Sequence, residues 1–140
     1  MIRYDDWADR LNNEINSWRE KEYSLGSYDC CQFAIECEKA MYGTTRFTEF
    51  EPNPNPKYTT DEEIIELCNA EGCKNWTQLL DKRLETIHRN YVQRGDVMAI
   101  NHNSHVGLAI NLGLNFANFG GNGLVFGIVS DAQVIRAWQV

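Results

Sequence analysis

Apolar residues recur at helical spacing through the first half of the chain and alternate through its last third, which predicts helices followed by strands. Trp7, Leu11, Ile15 and Trp18 make one stripe, with Asp5 or Asp6 ahead of it as a cap. Tyr23 to Tyr28 is a short connector containing Gly26. A second helix opens at Asp29, with Gln32 in the capping-box position. Its face carries Cys30, Phe33, Ala34, Cys37 and Met41, and Gly43 suits its stop.

The run from Glu51 to Pro56 holds three prolines at alternate positions and can continue neither a helix nor a central strand. Thr60 with Glu63, and Asn75 with Gln78, open two further short helices. These helices place residues 47–90 as a flank or lid on the main unit, not a second domain. From Gly95 onward the period changes to two. Val97 to Ile100, His105 to Ile110, Leu114 to Phe119, Leu124 to Val129 and Val134 to Val140 read as strands of an antiparallel meander. In the second of these, Val106, Leu108 and Ile110 share one face, and His105, Gly107 and Ala109 the other. The expected architecture is α+β, with helices packed on a small C-terminal sheet in a single domain spanning 1–140.

Composition narrows the function. A chain of 140 residues with a formal charge of -7 lacks the basic footprint of a nucleic-acid binder. The N-terminal segment has no apolar core for a signal peptide, and no stretch is long enough to span a membrane. Five cysteines, two of them adjacent, favour reduced thiols over a disulfide framework. No phosphate-binding or dinucleotide-binding glycine pattern occurs, so no cofactor is expected. A zinc site from Cys68, Cys73, His102 and His105 is conceivable, but its cysteines lack the tight-knuckle spacing, and no metal is expected.

The candidate chemistry is a thiol at a helix N-terminus and an imidazole on a strand far downstream. Cys30 there gains from unpaired amides and the positive end of the helix dipole, and a neighbouring His105 would lower its pKa further. The small residues on the His105 face, Gly107 and Ala109, would let the Cys30 helix approach closely. A two-residue loop at Leu112-Gly113 sets Asn118 opposite Gly107, diagonal to His105, to orient the imidazole. A three-residue loop brings Asn115 to that face instead. The alternatives are Cys30 as a small buried hydrophobe, Cys31 as the reactive thiol, and Cys37, Cys68 and Cys73 as inert thiols. His88 reads as a solvated or helix-end group, and His102 as a residue of the loop before the His105 strand.

The stretch Tyr23-Ser24-Leu25-Gly26-Ser27-Tyr28-Asp29-Cys30 resembles the Tyr-x-Trp-Gly…Phe-Asp-Cys approach to the nucleophile in NlpC-type papain-like cysteine peptidases. Arg94-Gly95-Asp96-Val97 and His105-Val106-Gly107-Leu108 resemble that family's Gly-Asp and His-Val-Gly strand blocks. Trp18, Phe116-Ala117 with Gly120-Gly121, and Arg136-Ala137-Trp138 with Val140 extend the likeness to a small NlpC-like family encoded near phage tail genes. Departures fall beside the nucleophile: Cys31-Gln32 stands for Ser-Gly, and Leu25 for an aromatic residue.

The resemblance implies a papain-like fold and a hydrolase, a thiol protease cutting amide bonds of peptidoglycan stem peptides. Cys30, His105 and Asn118 would be its catalytic residues, and the Tyr23 hydroxyl would assist the oxyanion hole. It also implies synthesis in the bacterial cytoplasm, a place in the bacteriophage virion tail, and phage tail or hub proteins as partners. The alternative on the same fold is a catalytically silent structural protein of tail assembly.

Overall fold

The computed structural model describes residues 2–140, with the side chain of His105 outside that description. Helix α1 (Trp7–Ser17) buries Leu11 and Ile15, with Trp18 just past its end. Asp6 is its N-cap residue but makes no capping bond; its carboxylate binds Arg10 at 2.7 Å. Helix α2 (Cys30–Tyr42) ends at Gly43, which takes the left-handed conformation with its N–H on the Lys39 carbonyl. Helices α3 (Asp61–Ala70) and α4 (Trp76–Arg83) start at Thr60 and Asn75, whose side chains accept from the Glu63 and Gln78 amides. Gln78 also reaches back to the Lys74 amide at 2.9 Å, one residue ahead of the cap.

Six strands follow: β1 (Glu85–Ile87), β2 (Val97–His102), β3 (His105–Asn111), β4 (Asn115–Gly120), β5 (Gly123–Ile128) and β6 (Gln133–Gln139). They form one antiparallel sheet in the order β1-β6-β2-β3-β4-β5. Strands β2 to β5 are a meander, but β6 returns to lie between β1 and β2, which corrects the expectation of a simple meander. The Gly95-Asp96 turn accounts for that return: Asp96 accepts the Val140 amide at 3.0 Å and the Gln93 amide at 2.9 Å. Strand β1 is short and its first two residues are exposed, so it carries no periodic signal.

Helices α1 and α2 cover one face of the sheet. Phe33, Cys37 and Met41 of α2 pack there with Leu108, Ile110, Ala117, Phe119 and Trp138. Trp18 meets Phe33 and Phe119 edge-on at centroid distances of 5.3 and 4.8 Å. Each such pair adds about 0.5–1.5 kcal/mol beyond the area it buries. The opposite face closes a second cluster of Met98, Ile100, Ala109, Phe116 and Ala137. The flank packs on the far side of α2 through Ile35, Phe50, Cys68, Cys73 and Leu79.

Two tight hairpin turns stand at the same end of the sheet. Asn103 and Ser104, with φ of 52° and 66°, join β2 to β3. Gly121 and Asn122 join β4 to β5.

Candidate active site

Asp29 builds the site from below. Its Oδ1 accepts the Gln32 amide at 2.8 Å, and its Oδ2 accepts the Gly26 amide at 2.8 Å and the Tyr58 hydroxyl at 2.7 Å. The carboxylate is buried, and these three donors stand in for water. Burial, then the Cys31 and Asp29 charges, push the Tyr58 phenol far above its usual range, so it remains a donor. Gly26 has φ +93°, and a Cβ there would run into the Tyr58 carbonyl. Gln32 leaves the capping box half made: its Nε2 donates to the Phe50 carbonyl at 2.8 Å and to Tyr58 at 3.3 Å. Tyr58 and the proline-rich segment thus anchor the helix start, a role that no periodicity announces.

The cap presents Cys30 in the first turn, where helix amides lack intrahelical acceptors. The thiol meets the sheet at a break. The β3–β4 ladder ends at Ala109 opposite Asn118, whereas β2–β3 pairing runs on to His102/His105 and β4–β5 pairing to Gly120/Gly123. A Cβ on Gly107 would sit 3.8 Å from Cys30 Sγ and 3.3 Å from Asn118 Nδ2. This corrects the expected packing. Helix α2 lies on the Leu108/Ile110 face, because bulky side chains bury more apolar area than Gly107 and Ala109. Cys30 reaches Gly107 where β3 and β4 part.

The Cys30 thiol is held below its usual value. The Cys31 thiol contributes most, and the Leu108 backbone N–H and the first-turn amide add to it; burial and the Asp29 charge oppose. Cys31 moves well above its usual value, through the same contact with Cys30 and through burial. Burial likewise raises Cys37 and Cys68. Within the adjacent pair, the contact between the two thiols favours the thiolate at Cys30 over Cys31.

Asn118 keeps the expected face but not the expected register. Asn111 Oδ1 accepts the Gly113 amide at 2.8 Å, and Leu112 N–H reaches the Asn115 carbonyl at 2.8 Å, so the turn closes over Gly113 and Leu114 rather than Leu112 and Gly113. That turn pairs Asn111 with Phe116 and sets Asn118 opposite Ala109 rather than Gly107. Its Nδ2 donates to the Leu108 carbonyl at 2.6 Å, and its Oδ1 points along the strand toward Gly120. Asn115 pairs with Ile128 and is exposed, outside the groove.

The register places His105 opposite His102 and two positions before Gly107. The His105 side chain lies outside the described residues. His102 ends β2 rather than lying in a loop, and its ring stands edge-on to Phe116 at 5.2 Å.

These elements surround an open groove of 540 Å³ lined by Cys30, Tyr23, His102, Gly107, Asn118 and the Gly121–Asn122 turn, among others. Burial, with the Asp29 and Cys30 charges, raises the Tyr23 phenol, which keeps it protonated beside the thiol. No described residue of 47–90 lines the groove. The flank instead encloses a 60 Å³ apolar cavity with Cys31, Ile35, Phe50, Trp76 and Leu80 on its walls. Cys68 and Cys73 belong to that flank and His102 to the groove, so the four-ligand zinc grouping does not assemble.

The fold and site define an α+β domain whose helix-borne thiol opens into a cleft where a sheet divides. The chain belongs to the family described as "Domain of unknown function (DUF6950)", which matches residues 2–140. No curated protein matches it.

Proposed function

We propose that the chain is a cysteine hydrolase of the papain-like, NlpC type, acting on peptide amide bonds such as those of peptidoglycan stem peptides in phage tail-mediated wall penetration. The observation that carries this reading is the Cys30 thiol, set in the first turn of α2 and opening beside Gly107 into the groove. In this reaction the Cys30 thiolate attacks the amide carbon, and the carbonyl oxygen takes up the negative charge. His105 gives a proton to the departing amine, then takes one from the water that releases the acyl group. The Cys30 amide and the Tyr23 hydroxyl are the donors for the oxyanion. Asn118, with its Oδ1 directed toward the Gly120 end of the strand, orients the imidazole.

Iodoacetamide labelling near pH 6, with each cysteine read by mass spectrometry, tests the nucleophile. An ordinary thiol is almost wholly protonated there. Cys30 is expected to react first and to slow in a folded His105→Ala variant; equal rates at all five cysteines refute the reading.

A structural role in tail assembly is the second reading. It is favoured by β5, an edge strand whose Val125, Phe126 and Ile128 are exposed. It predicts stable assembly with a tail protein that survives Cys30→Ala.

A further inference from the structure

The divided sheet also indicates what enters the groove. Hydrogen-bonded rungs alternate along an antiparallel pair, and the Leu112–Asn115 bond fixes their phase. Ile110 and Ala117 form the next such rung, and Leu108 with Phe119 would follow. The ladder stops before it. Val106, two residues further out, therefore turns its N–H and C=O toward a β4 that no longer meets it. Val106 is 60% exposed.

The walls around it have a consistent chemistry. Ile100, Val106, Phe116 and Val125 supply apolar contact, and Asn103, Asn118 and Asn122 supply amides. Glycines 107, 120, 121 and 123 leave room for a backbone to come close. Among the described lining residues there is no Asp, Glu, Lys or Arg. Apart from the Cys30 thiol and the His102 ring at its lining, a charged side chain entering here loses water and finds no carboxylate, ammonium or guanidinium group to pair with.

We propose that the groove binds an extended, uncharged peptide segment that pairs its backbone with the open edge of β3 at Val106 and runs past Cys30. This rests on Cys30 as the nucleophile and specifies its substrate class. Strand addition of this kind draws affinity from main-chain hydrogen bonds and selectivity from side-chain walls. The carboxylate- and amine-bearing residues of a wall peptide then lie outside the groove, and the segment at the thiol is neutral.

The test uses the intact protein and acetyl-Ala-Ala-Gly vinyl sulfone, which alkylates a thiolate by conjugate addition. Companion probes replace the central Ala with Glu, with Lys, or with N-methyl-Ala. Iodoacetamide measures the intrinsic reactivity of the same thiol. The neutral probe is expected to modify Cys30 about tenfold or more faster than either charged probe. N-methylation, which removes one backbone donor, is expected to slow it to a similar degree. A Glu or Lys probe that matches the neutral one, or an N-methyl probe that loses nothing, overturns the proposal.

If Cys30 proves inert to iodoacetamide, the nucleophile reading fails on its own, and a second measurement decides this one. Acetyl-Ala-Ala-Gly amide is titrated into ¹⁵N-labelled Cys30→Ser protein. Amide shifts at Val106, Gly107 and Gly120 that the Glu peptide does not reproduce support the binding mode, and their absence at millimolar peptide refutes it.

Discussion

Replacing Tyr58 with Phe removes one oxygen and leaves the ring in place. That oxygen donates to the buried Asp29 carboxylate at 2.7 Å and accepts from Gln32 Nε2 at 3.3 Å. The Gln32 contact is long, and Nε2 keeps its 2.8 Å bond to the Phe50 carbonyl, so little is lost there. The Asp29 bond is different, because it is made to a charged acceptor shut away from water. Bonds of that kind contribute about 1.5–3 kcal/mol, and after the change Oδ2 retains only the Gly26 amide. The expected loss is ~2 kcal/mol of stability. With a urea m-value of about 2 kcal/mol/M, the unfolding midpoint falls by about 1 M at unchanged slope. A second readout follows from position. With one donor fewer, the Asp29 charge acts more strongly on the adjacent Cys30, and the alkylation profile of that thiol moves to higher pH. A midpoint within ~0.2 M of the parent would refute the argument that this bond ties the flank to the helix start.

Asn118→Ala removes the 2.6 Å bond to the Leu108 carbonyl and is expected to lower stability by ~1 kcal/mol. Because Leu108 also donates to Cys30, the thiol should titrate higher in Asn118→Ala even in a His105→Ala background; an effect that vanishes there assigns the carboxamide to the imidazole alone. Gly26→Ala places a Cβ against the Tyr58 carbonyl at φ +93° and should destabilise by about 2 kcal/mol or more in thermal unfolding. At Asp81, burial pushes the carboxyl up, but hydrogen bonds from Arg136 and Trp138 outweigh it and hold it below its usual value. The stability it contributes is complete above the ordinary carboxylate range and is lost as pH falls through the lowered native value. Asp81→Asn should therefore be the less stable protein at neutral pH, with the gap narrowing below about pH 4 in an acid titration.

What could be read from the sequence was local. Asp29, Thr60 and Asn75 sit three residues ahead of the amides they accept from, and Gly43 terminates α2 by its own backbone freedom. Helix stripes and strand alternation were legible for the same reason. Partner choice was not: β6 returns beside β2 because of Asp96 and Val140, residues far apart in the chain. The β3–β4 register turned on the Asn111 side chain closing a turn on Gly113, which apolar alternation does not encode. The packing face of α2 was misjudged by weighing small residues for close approach above the area that Leu108 and Ile110 bury. Tyr58 was missed as part of the site because it acts through a contact far along the chain, with Asp29, and His102 was read as a loop residue because the short turn after it extends β2 by one pairing.

The two hairpin turns at the mouth of the groove have a consequence for how such a protein can diverge. Asn103–Ser104 and Gly121–Asn122 contribute nothing to the apolar clusters, and each simply closes a hairpin. The Gly121–Asn122 tip can be lengthened, shortened or exchanged without disturbing the thiol, its cap or the sheet behind it, whereas Ser104 leads directly into His105 and ties the other tip to the proposed chemistry. One wall of the groove thus lies on a piece of chain separate from the catalytic groups. A library of insertions at Gly121–Asn122 would sample new specificities on an unaltered reaction centre.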